Sequence, residues 1–167
     1  GVYGPFSVTN GFATAVAAYG DEAVVVDGGE TGRCAVVTAQ TRLVGLTFER
    51  GWTDGDGGAV KSGVLEHCVI RDSLACGAGG GVFGATLRDC FVIGNVSTNG
   101  GGGAAACRVV GSTFVDNWTY ATGGGMSGGS AVNSILWGNG AKEGDGEVGG
   151  GAMVTFSCVG DTNEGFT

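Results

Sequence analysis

The residues of this sequence best suited to acid–base chemistry are a histidine and an aspartate 22 residues apart. His67 and Asp89 have this spacing, and so do Glu66 and Arg88 directly before them. A His-Asp pair beside an arginine could act in general acid–base catalysis. The alternative is a solvated turn whose alternating charges form weak pairs. We favour the turn and assign no catalytic residue, because no nucleophile or second carboxylate occupies a neighbouring position.

Two acidic, glycine-rich segments could supply oxygen ligands to calcium. They are Asp54-Gly55-Asp56-Gly57 and Gly144-Asp145-Gly146-Glu147. Neither has the spacing of an EF-hand loop, and the nonapeptide calcium repeat is absent. The six cysteines include no C-x-x-C pair. The sequence therefore predicts solvated turns, no metal site and no cofactor.

An aromatic stripe is a third candidate for binding chemistry. Trp52 and Trp118 share one position of a 22-residue repeat, and Tyr120 lies two residues beyond Trp118. Such a stripe along a solenoid could stack on sugar rings. Leu74 and Val96, however, occupy the same position in the intervening repeats. These apolar residues favour a core or turn-filling column over a sugar site.

The elements that position these residues repeat with a period of 22 between residues 57 and 139. The repeat shows in five sets of equivalent positions. The sets are Gly57, Gly79, Gly101 and Gly123; Leu65, Leu87, Val109 and Ala131; Cys68, Cys90, Ser112 and Ser134; Ile70, Val92, Phe114 and Leu136; and Ser73, Asn95, Asn117 and Asn139. Apolar or small residues two apart indicate strands. An internal repeat of this length with glycine punctuation is typical of a solenoid.

The solenoid is predicted to be an all-β, right-handed parallel β-helix of six to seven coils, each coil being one 22-residue repeat. The recurring glycine runs exclude helical repeats, and the leucine-rich-repeat frame is absent. Residues 1–167 are expected to form a single β-helix domain. Strands are predicted at residues 6–9, 23–26, 34–37, 43–48, 90–93 and 154–159. Residues 141–147 are interpreted as an insertion that lengthens one turn, and 160–167 as a loop.

Stacking of equivalent residues about 4.8 Å apart predicts two side-chain columns. Asn95, Asn117 and Asn139 would form an amide ladder in which each side chain bonds the next. The glycosylation sequons at residues 95–97 and 117–119 are therefore interpreted as structural. Cys68 and Cys90 would be neighbours, either as a disulfide or as stacked free thiols, and the sequence leaves both alternatives open.

Composition excludes several classes of protein. A net charge of −8 argues against binding to nucleic acid and to anionic membrane surfaces. No apolar run approaches the length of a membrane span, so this segment is not expected to insert. Only 14% of residues are charged while 43% are apolar, which argues against disorder. The chain has no signal peptide and begins at Gly1, so we expect a processed form or a segment of a longer protein.

The repeats resemble those of a known group of bacterial proteins. Gly57-Gly58-Ala59, Gly80-Gly81-Val82 and Phe114-Val115-Asp116-Asn117 are similar to repeats of polymorphic outer membrane proteins and autotransporter passengers. Residues 5–9, 24–29, 133–139 and 154–159 are similar to large secreted right-handed β-helix proteins. The motif departs from the family at Leu136 and Ser73. Pectate lyases share this fold, but no residues carry over from their calcium or catalytic sites.

Three functions follow as expectations. The favoured one is a non-catalytic, extracellular structural or adhesive segment of a bacterial surface or secreted protein, with carbohydrate or a host surface as partner. The alternatives are a polysaccharide lyase or hydrolase, and a self-assembling fibre module. The last is motivated by the absence of a recognisable capping helix, since uncapped strand edges favour end-to-end self-association.

Overall fold

A parallel β-helix is the architecture of this chain. The computed structural model describes residues 1–10, 15–17 and 23–160. These residues form short strands and no helix, and neighbouring strands pair in parallel. The coils are about 22 residues long and make about seven turns, as predicted. In this part of the chain no helical segment has the length and hydropathy needed to cross a bilayer. The predicted loop at 160–167 lies, beyond Gly160, outside the described residues.

The described residues form three sheets along the solenoid, to which successive coils contribute strands. Within the described chain, sheet A has eight strands: Val2–Tyr3, Val24–Asp27, Leu46–Glu49, Val69–Arg71, Phe91–Ile93, Thr113–Val115, Ile135–Trp137 and Cys158–Val159. Sheet C has five there: Trp52–Thr53, Leu74–Ala75, Val96–Ser97, Trp118–Thr119 and Gly140–Ala141.

Sheet B contains two rows of strands that merge near the C-terminal end. The first row is Phe6–Val8, Ala35–Val37, Val60–Lys61 and Val82–Phe83. The second row is Ala15–Ala17, Arg42–Val44, Val64–Glu66 and Thr86–Arg88. Both rows join in Ala104–Val110 and Met126–Val132, and separate again into Val148–Gly149 and Met153–Thr155.

The strand register confirms the 22-residue period and corrects one detail of it. Trp118 pairs with Gly140, and Met126 pairs with Val148, so both pairs are 22 residues apart. Residues 141–147 therefore have the ordinary length, and the predicted insertion there is wrong. The extra residue lies between Gly149 and Met153, because Ser130 pairs with Met153 at a spacing of 23.

The core is a set of stacked apolar columns inside the coil. The residues named as one repeat position, Ile70, Val92, Phe114 and Leu136, are all fully buried on the inner face of sheet A. Phe48 extends the same column one coil earlier, since it pairs with Ile70. The prediction that this position faces inward is confirmed.

The corners between strands use left-handed backbone, and equivalent residues share it from coil to coil. The corner between sheets B and A has φ between 50° and 67° in Gly45, His67, Asp89, Gly111, Asn133 and Phe156. Gly45 thereby divides the strand predicted at 43–48, and Phe156 divides the one predicted at 154–159. Gly45 marks its corner in the sequence, whereas Phe156 is itself apolar and leaves no visible break between the two strands.

The corner between the two rows of sheet B offers a matched test of backbone strain. Gly84 and Ala106 occupy it one coil apart, with φ of 66° and 53°. A Cβ on Gly84 would meet no atom within 4 Å, so Gly84→Ala adds only conformational strain. We expect Gly84→Ala to lower the free energy of unfolding by up to about 1 kcal/mol, because the reduced entropy of the unfolded chain offsets part of a strain of about 1–2 kcal/mol.

The reverse change, Ala106→Gly, relieves that strain. It is expected to raise the free energy of unfolding by less than about 1 kcal/mol, because glycine also increases the entropy of the unfolded chain. Urea denaturation of both variants measures the two effects. A Gly84→Ala variant more stable than wild type would contradict the left-handed assignment of this corner.

A second glycine position is set by close approach of the backbone. A Cβ on Gly102 would lie 2.4 Å from the carbonyl oxygen of Trp118 and 2.5 Å from that of Gly124. No side chain fits at such distances. The recurring Gly-Gly pairs are thus explained by the narrow turn between sheets C and B, where the chain passes directly over the neighbouring backbone.

Candidate functional site

The His67-Asp89 pair lies at an exposed corner rather than in a cleft. Both residues have left-handed backbone, and their amide groups donate to carbonyls of the next coil. The structure shows no hydrogen bond or ion pair between the two side chains, both of which lie in the described region. The corner positions the two residues one coil apart, as the period predicts, but directs them to solvent.

The charges beside this corner pair between coils. Glu66 accepts hydrogen bonds from Arg42 in the preceding coil, and its Oε1 lies 3.8 Å from Nε of Arg88. The hydrogen bond from Arg42 lowers the pKa of Glu66. The same arrangement joins Arg50 to Asp27 and Arg71 to Glu49. These exposed pairs each contribute little to stability, and they support the interpretation of this surface as a charged, solvated face.

The asparagine ladder forms as predicted. Oδ1 of Asn117 accepts hydrogen bonds of 3.0 Å from the backbone N and from Nδ2 of Asn95, and Oδ1 of Asn139 accepts the equivalent bonds from Asn117 at 3.0 and 2.9 Å. Nδ2 of each also donates to a carbonyl one coil earlier, namely Ile70 (3.0 Å), Val92 (2.9 Å) and Phe114 (3.0 Å). Ser73 joins the ladder at its other end, where its amide donates to Asn95.

A buried glutamate closes this ladder, and sequence reasoning missed it. The carboxyl group of Glu147 accepts hydrogen bonds from the backbone N of Asn139 (3.2 Å) and from its Nδ2 (2.6 Å). The residue is only 2% exposed. Glu147 lies eight residues after Asn139 and outside the repeat position of the ladder. The repeat period therefore gave no indication that Glu147 bonds the ladder. From the sequence alone, Glu147 is assigned to a turn that is either solvated or calcium-binding.

The other acidic turn is also structural. Oδ1 of Asp56 accepts a hydrogen bond from the amide of Ala78, and its carbonyl accepts one from Arg33. Within residues 1–10, 15–17 and 23–160, no group of three or more His, Cys, Asp or Glu side chains could hold a metal ion.

The cysteine column continues into serines. Cys68 and Cys90 are buried in adjacent coils, and the amide of Cys90 donates to Oγ of Ser112, as that of Ser112 does to Ser134. All six cysteines are free thiols in the structure. Burial raises the pKa of Cys34 to about 12 and that of Cys107 to about 11. A hydrogen bond with the Cys68 thiol, together with burial, raises the pKa of Cys90.

Native alkylation should separate the six cysteines into two groups. Cys76 and Cys158 are exposed and are expected to react quickly, whereas the four buried thiols should react only on unfolding. Mass spectrometry after alkylation under denaturing, non-reducing conditions then distinguishes stacked thiols from a Cys68–Cys90 disulfide. Recovery of a disulfide between Cys68 or Cys90 and Cys158 would contradict the observed register.

The aromatic stripe lies on the outer face of sheet C, so, of the favoured interpretations as a core or a turn-filling column, the core is wrong. Trp52, Leu74, Val96 and Trp118 are in register, but the buried residues of these strands are their successors Thr53, Ala75, Ser97 and Thr119. In a strand of only two residues, the sequence does not indicate which residue faces inward. The structure shows that the small hydroxyl residues face inward, where Oγ of Ser97 donates a hydrogen bond of 2.9 Å to Oγ1 of Thr119.

The two glycosylation sequons are closed by folding, in line with their structural interpretation. Asn95 and Asn117 are both 0% exposed, and the hydroxyl residues Ser97 and Thr119 are also 0% exposed. An enzyme that modifies folded protein would have no access to these asparagines.

Sheet A carries exposed apolar side chains, of which sequence reasoning did not single out Phe91 and Ile135. Phe91 is 53%, Ile135 46% and Trp137 56% exposed. They lie on two strands, Phe91–Ile93 and Ile135–Trp137, with the strand Thr113–Val115 between them, and Phe91 and Ile135 share one column through Thr113. Their alternation with the buried column of Phe114 was a signal that could have identified them.

The comparisons add no relative to this picture. The chain matches no protein-family model, no curated protein and no solved structure.

Proposed function

We propose that this chain is a non-catalytic, extracellular structural or adhesive β-helix segment of a bacterial surface or secreted protein. Its partner is carbohydrate or a host surface, contacted by the outer face of sheet A. The single observation that carries the proposal is the group of exposed apolar residues Phe91, Ile135 and Trp137 on that face. The repeats that resemble autotransporter passengers support the bacterial surface as its location.

The interior supports a structural role. Every buried side-chain nitrogen or oxygen atom in the described part of the chain has a hydrogen-bond partner. The ladder asparagines and the serine column are fully engaged in joining coils. A catalytic site usually contains polar groups that await a substrate. Here the buried polar groups hold the stack together.

The two halves of sheet A differ in chemistry. Beyond the exposed Val2 and Tyr3 of its first strand, the N-terminal half presents Arg50–Asp27 and Arg71–Glu49 ion pairs on or beside its strands. The C-terminal half presents Phe91, Ile135 and Trp137 in their place. Clustered exposed apolar residues bordered by polar ones are typical of interaction surfaces. We therefore assign adhesion to the C-terminal half, which we call the apolar face.

Adhesion is tested with purified protein on glycan-coated surfaces and on cultured epithelial cells. The change is a triple variant of the apolar face, Phe91→Ser, Ile135→Ser and Trp137→Ser. Because all three side chains are about half exposed, the fold should persist, which circular dichroism checks. We expect the variant to lose most of the binding that the wild-type chain shows.

The matched control lies in the same sheet at its opposite end. Val2 and Tyr3 are 69% and 59% exposed, and their replacement by serine should leave adhesion unchanged. Equal adhesion by the apolar-face variant and the wild type would refute the assignment of the face. Polysaccharide depolymerisation that disappears in His67→Ala or Asp89→Ala would refute the non-catalytic role.

A further inference from the structure

The outer end of sheet C holds an aromatic pair next to an unpaired cation. The rings of Trp118 and Tyr120 meet edge to face with centroids 4.4 Å apart. Nζ of Lys142, in the next coil, lies 5.9 Å from the centroid of the Tyr120 ring. Tyr120 is 51% exposed, so its ring is open to a ligand. Among the described residues Lys142 forms no salt bridge.

A shallow depression begins two residues beyond Tyr120 and Lys142, in the bends that follow the sheet-C strands. It has a volume of about 530 Å³ and is lined by Thr122, Gly144, Asp145 and residues 148–152. Tyr120 and Thr122 are two residues apart in the bend that follows one sheet-C strand, and Lys142 and Gly144 are two residues apart in the bend that follows the next. The two Cα atoms of each pair therefore lie at most about 7 Å apart. The aromatic pair and the depression therefore form one continuous surface, which we call the turn site.

The turn site combines an apolar ring with polar groups that have no partner in the described structure. The Asp145 carboxylate is exposed and forms no hydrogen bond or ion pair there. Glycines at 144, 149, 150 and 151 leave backbone groups accessible in the floor of the depression. An apolar surface with a few convergent polar groups is typical of a site for small ligands.

The charge of the site selects among polysaccharides. Glu143 and Asp145 place two carboxylates around the single cation of Lys142, in a chain whose net charge is −8. This field repels uronic acids and sulfated sugars. A neutral sugar carries no such penalty, offers hydroxyl donors to a carboxylate, and has an apolar ring face for an aromatic side chain.

We propose that the turn site binds a neutral sugar residue of a polysaccharide. Tyr120 stacks on the ring face of the sugar, Asp145 accepts hydrogen bonds from its hydroxyl groups, and the depression between Thr122 and Ala152 receives the ring. Trp118 positions Tyr120 from the side. This site lies on a different sheet from the apolar face, so each of the two surfaces can be tested without the other.

The test uses Trp118 as a reporter. In a Trp52→Phe, Trp137→Phe double variant Trp118 is the one remaining tryptophan, and its ring lies in contact with Tyr120. The variant is titrated with dextran, mannan, galactan and a soluble β-glucan as neutral probes, and with polygalacturonate as the anionic probe. We expect a saturable change in fluorescence with at least one neutral polysaccharide and none with polygalacturonate.

Substitutions then locate the binding. Tyr120→Ala in the same background should weaken it about fivefold to tenfold, the loss expected from one aromatic contact. Asp145→Asn should weaken it as well, whereas Asp116→Asn, at an exposed corner elsewhere, should not. No response to any neutral polysaccharide, preference for polygalacturonate, or binding unchanged by Tyr120→Ala would each overturn the proposal. None of these outcomes depends on adhesion through the apolar face.

Discussion

Replacing Phe114 with alanine is expected to lower the free energy of unfolding by about 3–5 kcal/mol. The ring is 0% exposed and stands in the inner column of sheet A between Val92 and Leu136. Coils above and below hold the backbone at the spacing of the sheet, so the walls of the resulting cavity cannot collapse. Guanidinium denaturation followed by circular dichroism measures the loss.

Phe91 supplies the control for Phe114. It has the same side chain in the adjacent strand of sheet A but faces outward and is 53% exposed. Phe91→Ala should therefore change the free energy of unfolding by less than about 1 kcal/mol. A loss below about 1 kcal/mol for Phe114→Ala would mean that this repeat position is not core.

Asn117→Ala is expected to lower the free energy of unfolding by about 2–4 kcal/mol, through the loss of buried hydrogen bonds and not of packing. Its Oδ1 accepts from the backbone N and from Nδ2 of Asn95, and its Nδ2 donates to Oδ1 of Asn139. Alanine leaves the buried amide of Asn95 without its acceptor. Each buried polar group left unsatisfied costs about 1–3 kcal/mol. Thermal and urea denaturation should both show the loss.

Asn99→Ala is the matched control for the ladder. Asn99 is exposed in the turn that follows sheet C, and its side chain forms no hydrogen bond within the described residues. Its replacement should leave stability within about 0.5 kcal/mol of wild type. If the two asparagine variants were equally stable, the amide ladder would not be a significant source of stability.

The exposed surface was the least predictable part of the molecule. A column of equivalent residues is visible in the sequence, but whether it faces inward is decided by the size of its neighbours. Trp52 and Trp118 belong to strands of only two residues, and the small side chains of Thr53 and Thr119 fit the narrow interior beneath sheet C. The backbone of the glycine turns at Gly80, Gly102 and Gly124 lies close against that of sheet C, so large rings would not fit between them.

The sequence by itself determined the features that repeat. The 22-residue period placed Asn95, Asn117 and Asn139 in one ladder and Cys68 beside Cys90, because a parallel solenoid stacks equivalent residues in register. Only the tertiary structure decided the features that occur once or depend on three dimensions. Glu147 accepts hydrogen bonds at the end of the ladder although it lies outside the repeat position. Glu66 accepts hydrogen bonds from Arg42 in the preceding coil, and does not pair only with Arg88. A period records which residues are equivalent. It does not indicate which face of the sheet they occupy, or that Glu147 accepts the last hydrogen bonds of the asparagine ladder, because packing between coils determines both.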